Sequence, residues 1–143
     1  GMSTFALGDV YPEAKMTGVD LSPYFLSVAQ YRSQQREAEF SNQKSPIWVH
    51  AAAESTGLPA ASFDLVSICL VCHELPQKAS KEVFREARRL LRSGGHLTIM
   101  DMNPQSEVYA GLDIEQALVD SGFAVPTITC NTLRHRTIVA QAI

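Results

Sequence analysis

Asp20 ends the stretch Lys15-Met16-Thr17-Gly18-Val19-Asp20 and is followed at once by Leu21-Ser22-Pro23. An acid at the carboxyl end of a strand faces the crevice in which α/β sheets hold ligands, and its carboxylate can take both hydroxyls of a ribose. The competing role for Asp20 is to cap the following helix beside Ser22. A second stretch of chemical interest runs Ala51-Ala52-Ala53-Glu54, then Gly57-Leu58-Pro59, then Ser62-Phe63-Asp64-Leu65-Val66. In it Glu54 either touches a ligand or starts a short helical turn. A third is Val71-Cys72-His73-Glu74-Leu75-Pro76. His73 is a candidate general base or acceptor-positioning group, because imidazoles exchange protons near neutral pH; otherwise it fills or caps its loop. Glu74 reads as a helix-start or surface acid. Asp101 either faces a substrate or turns the chain before Asn103-Pro104. His50, His96 and His135 fall on separate strands without ligand-like spacing and read as structural.

Three cysteines, Cys69, Cys72 and Cys130, cannot close a disulfide framework and fit a reducing compartment. Cys69-x-x-Cys72 ends an apolar strand pattern, where a spacing of three puts the side chains on opposite faces. No second Cys/His pair completes a structural zinc site, so small buried hydrophobes are the better reading. The chain of 143 residues is 45% hydrophobic and 19% charged, and its net charge of −3 comes from 12 basic and 15 acidic residues. That length allows one domain with a real core, and the charge lacks the basic field of a nucleic-acid binder. Arg85, Arg88, Arg89 and Arg92 form the one basic cluster and read as a solvated helix face rather than a nucleic-acid patch. No leader pattern and no membrane-length apolar run is seen, so the expected location is cytoplasmic.

The elements that must hold these groups alternate between strand and helix patterns. This predicts an α/β fold, a Rossmann-like, mostly parallel sheet with helices on both faces. Residues 3–11 read as a short helix and Met16–Asp20 as a strand. Ser22 caps a helix from Pro23 to about Phe40, with inner face Phe25, Val28, Ala29 and the stem of Arg32. Ser41–Pro46 reads as a loop and Ile47–His50 as a strand. Asp64–Val71, nearly all apolar, reads as a central strand covered on both faces. Ala79 or Ser80 starts a helix with Val83, Phe84, Ala87, Leu90 and Leu91 at helical repeat, and Gly94-Gly95 is placed to stop it. Strand His96–Met102, helix Asp113–Asp120 and strands Pro126–Cys130 and Arg134–Ala142 complete a single domain, residues 1–143.

This order, with its wording, resembles the class I S-adenosylmethionine-dependent methyltransferases, whose last sheet strand runs antiparallel. The nearest likeness is to the small-molecule group that includes the ubiquinone and menaquinone C-methyltransferases. The likeness rests on Gly18-Val19-Asp20-Leu21-Ser22-Pro23, on Ala53-Glu54 with Leu58-Pro59 and Ser62-Phe63-Asp64-Leu65-Val66, and on Glu82–Gly95 with Glu86, Arg89, Leu90 and Leu91. The resemblance implies S-adenosylmethionine as cofactor and a small-molecule methyl acceptor, with no nucleic acid or membrane as partner. It implies that Asp20 takes the ribose hydroxyls and Leu21 lies against the adenine. Ala53, Glu54 and Val71 would line the cofactor, and Gly1 would be the last glycine of the family's Gly-rich turn. His73, at the crevice edge, would be the catalytic base.

The family's first strand, central in its sheet, has no counterpart here, and Ala52 stands where many relatives carry a polar residue. The stretch Asp101–Gly111 is shorter than the substrate-covering segment usual in the family. These departures predict that the 143 residues are a partial chain, short of the family's full domain. They also support a second expectation, an inactive methyltransferase-like domain that works through self-association, for example as a homodimer pairing exposed strand edges. A dehydrogenase also places an acid after its second strand, but it lacks the Phe63-Asp64 pattern.

Overall fold

The computed structural model describes residues 1–39, 44–103 and 113–143; expectations placed on 40–43 and 104–112 lie outside them. The chain divides into two compact units, Gly1–Thr56 and Gly57–Ile143. The first carries α1 (Met2–Val10), β1 (Thr17–Asp20), α2 (Pro23–Glu39) and β2 (Ile47–His50). The second carries β3 (Phe63–Cys69), a 3-10 turn (Cys72–Glu74), α3 (Gln77–Leu90), β4 (Leu91–Met102), α4 (Ile114–Asp120), β5 (Thr127–Asn131) and β6 (His135–Gln141).

In the first unit β1 and β2 pair in parallel, Thr17 against Ile47 and Asp20 against His50. One aromatic organises what packs on them. Trp48 meets Phe5 of α1 edge-on at 5.5 Å between ring centroids, and its indole N–H donates to Ser33 Oγ at 2.9 Å. The ring lies so close over β1 that a Cβ on Gly18 would come within 2.2 Å of it. Gly18 is therefore glycine for space. On α2 the buried positions are Ala29 and Ser33, whereas Phe25 is 59% exposed. The inner stripe of α2 runs through Ala29 and Ser33, four residues apart, so the expectation that Phe25 and Arg32 face inward is corrected. Ser22 does cap this helix, its Oγ accepting from Phe25 N–H at 3.3 Å.

The second unit is a four-stranded sheet in the order β3-β4-β6-β5. β3 and β4 are parallel, and β6 runs antiparallel to both of its neighbours. Two sheets stand where one mostly parallel sheet was expected, because the element before β1 is the helix α1 and no described strand joins them. Along β4 the side chains alternate, and Leu97, Ile99 and Asp101 are buried with Ile138 and Ala140 of β6. α3 supplies Val83, Phe84, Ala87 and Leu90 at the expected spacing, while α4 and its end add Leu118 and Phe123.

Two local expectations fail for stated reasons. Gly94-Gly95 does not stop α3: the helix ends at Leu90, and Leu91 is already extended at φ −75°, ψ 140°. The glycines instead absorb an irregularity in β4, where Phe63 opposes Leu91 but Leu65 opposes His96. Gly94 takes φ +81°, a conformation open to glycine, and donates its N–H to Ala142 at 2.8 Å. Ser80 does not start α3 either; it lies one turn in, with its hydroxyl buried and without a partner among the described residues.

Substituting Gly18→Ala forces Trp48 out of its seat, an overpacking expected to cost about 1–3 kcal/mol. A fall in the urea midpoint followed by Trp48 fluorescence checks this, and an unchanged midpoint would refute the packing.

Candidate functional site

The candidate residues divide between the units, Gly1, Asp20, Leu21, Ala53 and Glu54 in the first, Val71 and His73 in the second.

In the first unit the turn from β1 into α2 is fixed by short-range bonds. Asp20 Oδ1 accepts from Ser22 N–H at 2.8 Å, and the Asp20 carbonyl accepts from Ala51 N–H at 3.2 Å. Asp20 thus holds the capping residue Ser22 in its turn rather than capping α2 itself, and this occupies one oxygen; Oδ2 has no partner among the described residues. Leu21 is 66% exposed, an apolar side chain held in the open. Ala53 and Glu54 are exposed at the tip of a turn closed by Ser55 N–H to the Ala52 carbonyl at 3.1 Å. Gly1 precedes α1 as its N-cap residue, and a Cβ there would press on Ala29 and Trp48 at 3.1 Å. A separate shallow cleft is lined in part by Phe5, Tyr11, Met16, Arg36 and Lys44 and includes none of these candidates.

The second unit builds a polar cluster at the carboxyl ends of β3 and β4. Leu70 takes a left-handed backbone, φ +55°, which is uncommon for a branched residue. It is held there by its N–H bond to the Met100 carbonyl at 2.8 Å. This bend turns the chain into the 3-10 turn, with Val71 as its N-cap residue, 37% exposed. Asp101, its side chain 5% exposed, receives the turn. Its Oδ2 accepts from Cys72 N–H at 2.6 Å, and its Oδ1 accepts from His73 Nδ1 at 2.6 Å and from its neighbour Met102 N–H at 2.7 Å. A carboxylate can only accept, so Nδ1 carries the proton and the lone pair of the neutral ring sits on Nε2. Glu74 Oε1 stands 3.2 Å from Nε2 on a side chain 76% exposed.

Asp101 thus proves to be the residue that orients His73, and Glu74 contacts the same ring; on sequence alone Asp101 was divided between two roles and Glu74 was set aside. Both thiols beside this carboxylate are unsuited to nucleophilic work. Burial, and then the nearby Asp101 charge, push Cys72 up to about 12 from 9.0 and raise Cys69 in the same direction. Cys72 is buried and Cys69 half-buried, close to the reading as small hydrophobes. Three members of the basic cluster are used internally: Arg88 donates to the Gly122 carbonyl, Arg89 grips Glu86 with two bonds of 2.7 Å, and Arg92 pairs with Asp64. Among the described residues no helix is long and apolar enough to cross a membrane.

Residues 1–99 match the family model of the methyltransferase domain, and the chain belongs to that family. The family supports a methyltransferase with S-adenosylmethionine as its cofactor. A polyketide synthase-nonribosomal peptide synthetase, TwmB of Talaromyces wortmannii, is 30% identical over 94 residues, which is 66% of this chain and 3% of that much longer protein. Among solved structures, the PH0226 protein of Pyrococcus horikoshii OT3 superposes on 100% of this chain and 77% of its own, with TM-score 0.78 and 16% identity. Magnesium protoporphyrin IX methyltransferase of Synechocystis PCC 6803, solved with bound SAM, covers 91% of this chain and 60% of its own, with TM-score 0.68 and 21% identity. The last two are likenesses of fold.

Because Cys72 is raised from 9.0 to about 12 in the folded chain, the unfolded chain loses that proton first as pH rises. Stability therefore falls from pH 9 towards pH 12, by at most about 1.4 kcal/mol per pH unit for one group. Urea midpoints across this window are expected to drop, and to drop less in Cys72→Ala; an identical fall in the variant would remove Cys72 as the cause.

Proposed function

We propose that this chain, residues 1–143 taken as one domain, transfers a methyl group from S-adenosylmethionine to a small molecule whose reacting atom must lose a proton. The observation that carries the reading is the Asp101–His73 pair, 2.6 Å apart at the strand ends of a methyltransferase-family chain. The sulfonium of the bound cofactor supplies an already activated methyl group, so the protein's work is mostly alignment.

The residues fit such a cofactor. Asp20 Oδ2 is available to a ribose hydroxyl while Oδ1 holds the turn, and exposed Leu21 offers an apolar contact for a flat ring. The sequence resemblance adds Gly1, Ala53 and Glu54 of the first unit to the proposed cofactor contacts and assigns Val71 of the second to the cofactor as well. His73 Nε2 is placed to hold the proton that the acceptor must lose, while the cofactor would supply the methyl group and leave as the neutral thioether. Asp101 fixes the ring's tautomer and steadies the resulting cation. Glu74, at 3.2 Å and exposed, can then accept a bond from Nε2–H and open the way for the proton to water. Membership of the small-molecule group that includes the ubiquinone and menaquinone C-methyltransferases is the finer part of this proposal, supported by the sequence resemblance, and a cytoplasmic location is supported by the cysteine usage.

One observation favours a second reading, self-association without catalysis: β3 and β5 are the outer strands of the four-stranded sheet among the described residues. A stable homodimer in gel filtration that binds no cofactor would support it.

Calorimetric titration with S-adenosylhomocysteine tests the first reading. Asp20→Asn keeps an oxygen for the Ser22 cap but loses the charge. Its affinity is expected to fall about tenfold, or roughly 1.4 kcal/mol, with the melting temperature kept; unchanged affinity would leave Asp20 as a support of the Ser22 turn alone. His73→Ala is expected to keep cofactor affinity and lower methyl transfer by about 10²–10⁴; full turnover in that variant would remove it from the mechanism.

A further inference from the structure

The β1–α2 junction leaves one backbone group outside both elements. The Asp20 carbonyl is bonded by Ala51 N–H at 3.2 Å, and the Ser22 carbonyl accepts from Leu26 N–H at 3.1 Å in the first turn of α2. Between them the Leu21 carbonyl belongs to neither ladder nor helix. His50, last residue of β2 and register partner of Asp20, reaches it: Nε2 lies 2.9 Å from Leu21 O. A carbonyl only accepts, so Nε2 donates, and both the Nε2–H neutral ring and the imidazolium can do so.

We propose that His50 is a cofactor-positioning residue, which acts by fixing the Leu21 carbonyl and with it the directions of the Asp20 carboxylate and the Leu21 side chain. The inference rests on the cofactor reading given above for these two residues. Three bonds then define the junction: His50 to the Leu21 carbonyl, Ser22 N–H to Asp20 Oδ1, and Phe25 N–H to Ser22 Oγ. The last two are local, made within three residues, and set the cap. The His50 bond spans 29 residues and, beside the Ala51 N–H bond to the Asp20 carbonyl, ties this turn to the end of the neighbouring strand; among the described residues it is the bond that reaches the Leu21 carbonyl. Without it the peptide between Leu21 and Ser22 keeps only the local Ser22 N–H bond to Asp20 Oδ1, so peptide and carboxylate can turn together and Oδ2 is no longer presented in one direction. Preorganisation of this kind appears as ligand affinity more than as fold stability, because the mobile group is ordered only when the ligand binds.

The test is calorimetric affinity for S-adenosylhomocysteine in the 143-residue chain, in wild type, His50→Ala and His50→Gln, with a melting temperature for each. Gln can place its amide N–H where Nε2 stands. Loss of one bond is expected to weaken binding roughly five- to tenfold in His50→Ala, with affinity within about twofold of wild type in His50→Gln and little change in melting temperature in either. Amide exchange at Ser22 and Phe25 should quicken in His50→Ala and not in His50→Gln, a readout that needs no ligand. Equal affinity in all three proteins overturns the proposal while leaving the cofactor reading intact. So does an equal loss in both variants, which would assign the effect to the ring and not to the bond. Absence of binding in wild type overturns the cofactor reading and this inference together.

Discussion

A single buried carboxylate holds the chemical end of the second unit in shape. Asp101 accepts from two backbone N–H groups, those of Cys72 and Met102, and from the His73 ring. A buried carboxylate is costly unless its oxygens are bonded, so the 3-10 turn and the strand end are locked to it in return. The left-handed Leu70 follows from the same demand, since the chain leaving β3 must bend sharply to offer Cys72 N–H to Oδ2. The unfavourable backbone angle, held by the Leu70 N–H bond to the Met100 carbonyl, thus falls at the place where His73 must be aimed. The raised Cys72 thiol is a by-product: the burial that protects the carboxylate also penalises a second negative charge.

The two units reach order by different routes. In the second, Phe84, Leu97, Ile99, Leu118 and Phe123 form an apolar cluster between the sheet and its helices, and polar groups collect at one end. In the first, fewer side chains are fully buried; shape is set by Trp48 against Gly18 and Phe5, with the indole N–H satisfied by Ser33. An aromatic with a polar handle can organise a small unit in this way because ring contact and hydrogen bond are made together.

How much of this could be read from residues alone depended on distance along the chain. Element positions followed from periodicity and local caps, and Ile47–His50 was placed to the residue. Ser22 does cap its helix, and Asp113, read as the first residue of its helix, is that helix's cap, since a cap is a contact within three residues. Gly94 misled because a left-handed glycine serves a strand irregularity as well as a helix end, and only the register of β3 against β4 tells them apart. The Asp101–His73 bond spans 28 residues and the His50–Leu21 bond 29, so neither leaves a local signature. Asp101 was placed at its strand end, yet its role needed a partner that spacing could not name.

Trp48 is the chain's one tryptophan, and it sits wholly within the first unit. Its emission is therefore a private channel for that unit, while far-ultraviolet dichroism sums the helices of both units. Light absorbed at the red edge of the protein spectrum is taken up by a single indole hydrogen-bonded to Ser33, so a shift in colour reports the Gly1–Thr56 half even when the other half stays silent. Gly18, by leaving room for that ring, has made the smaller half of the molecule optically addressable without a label.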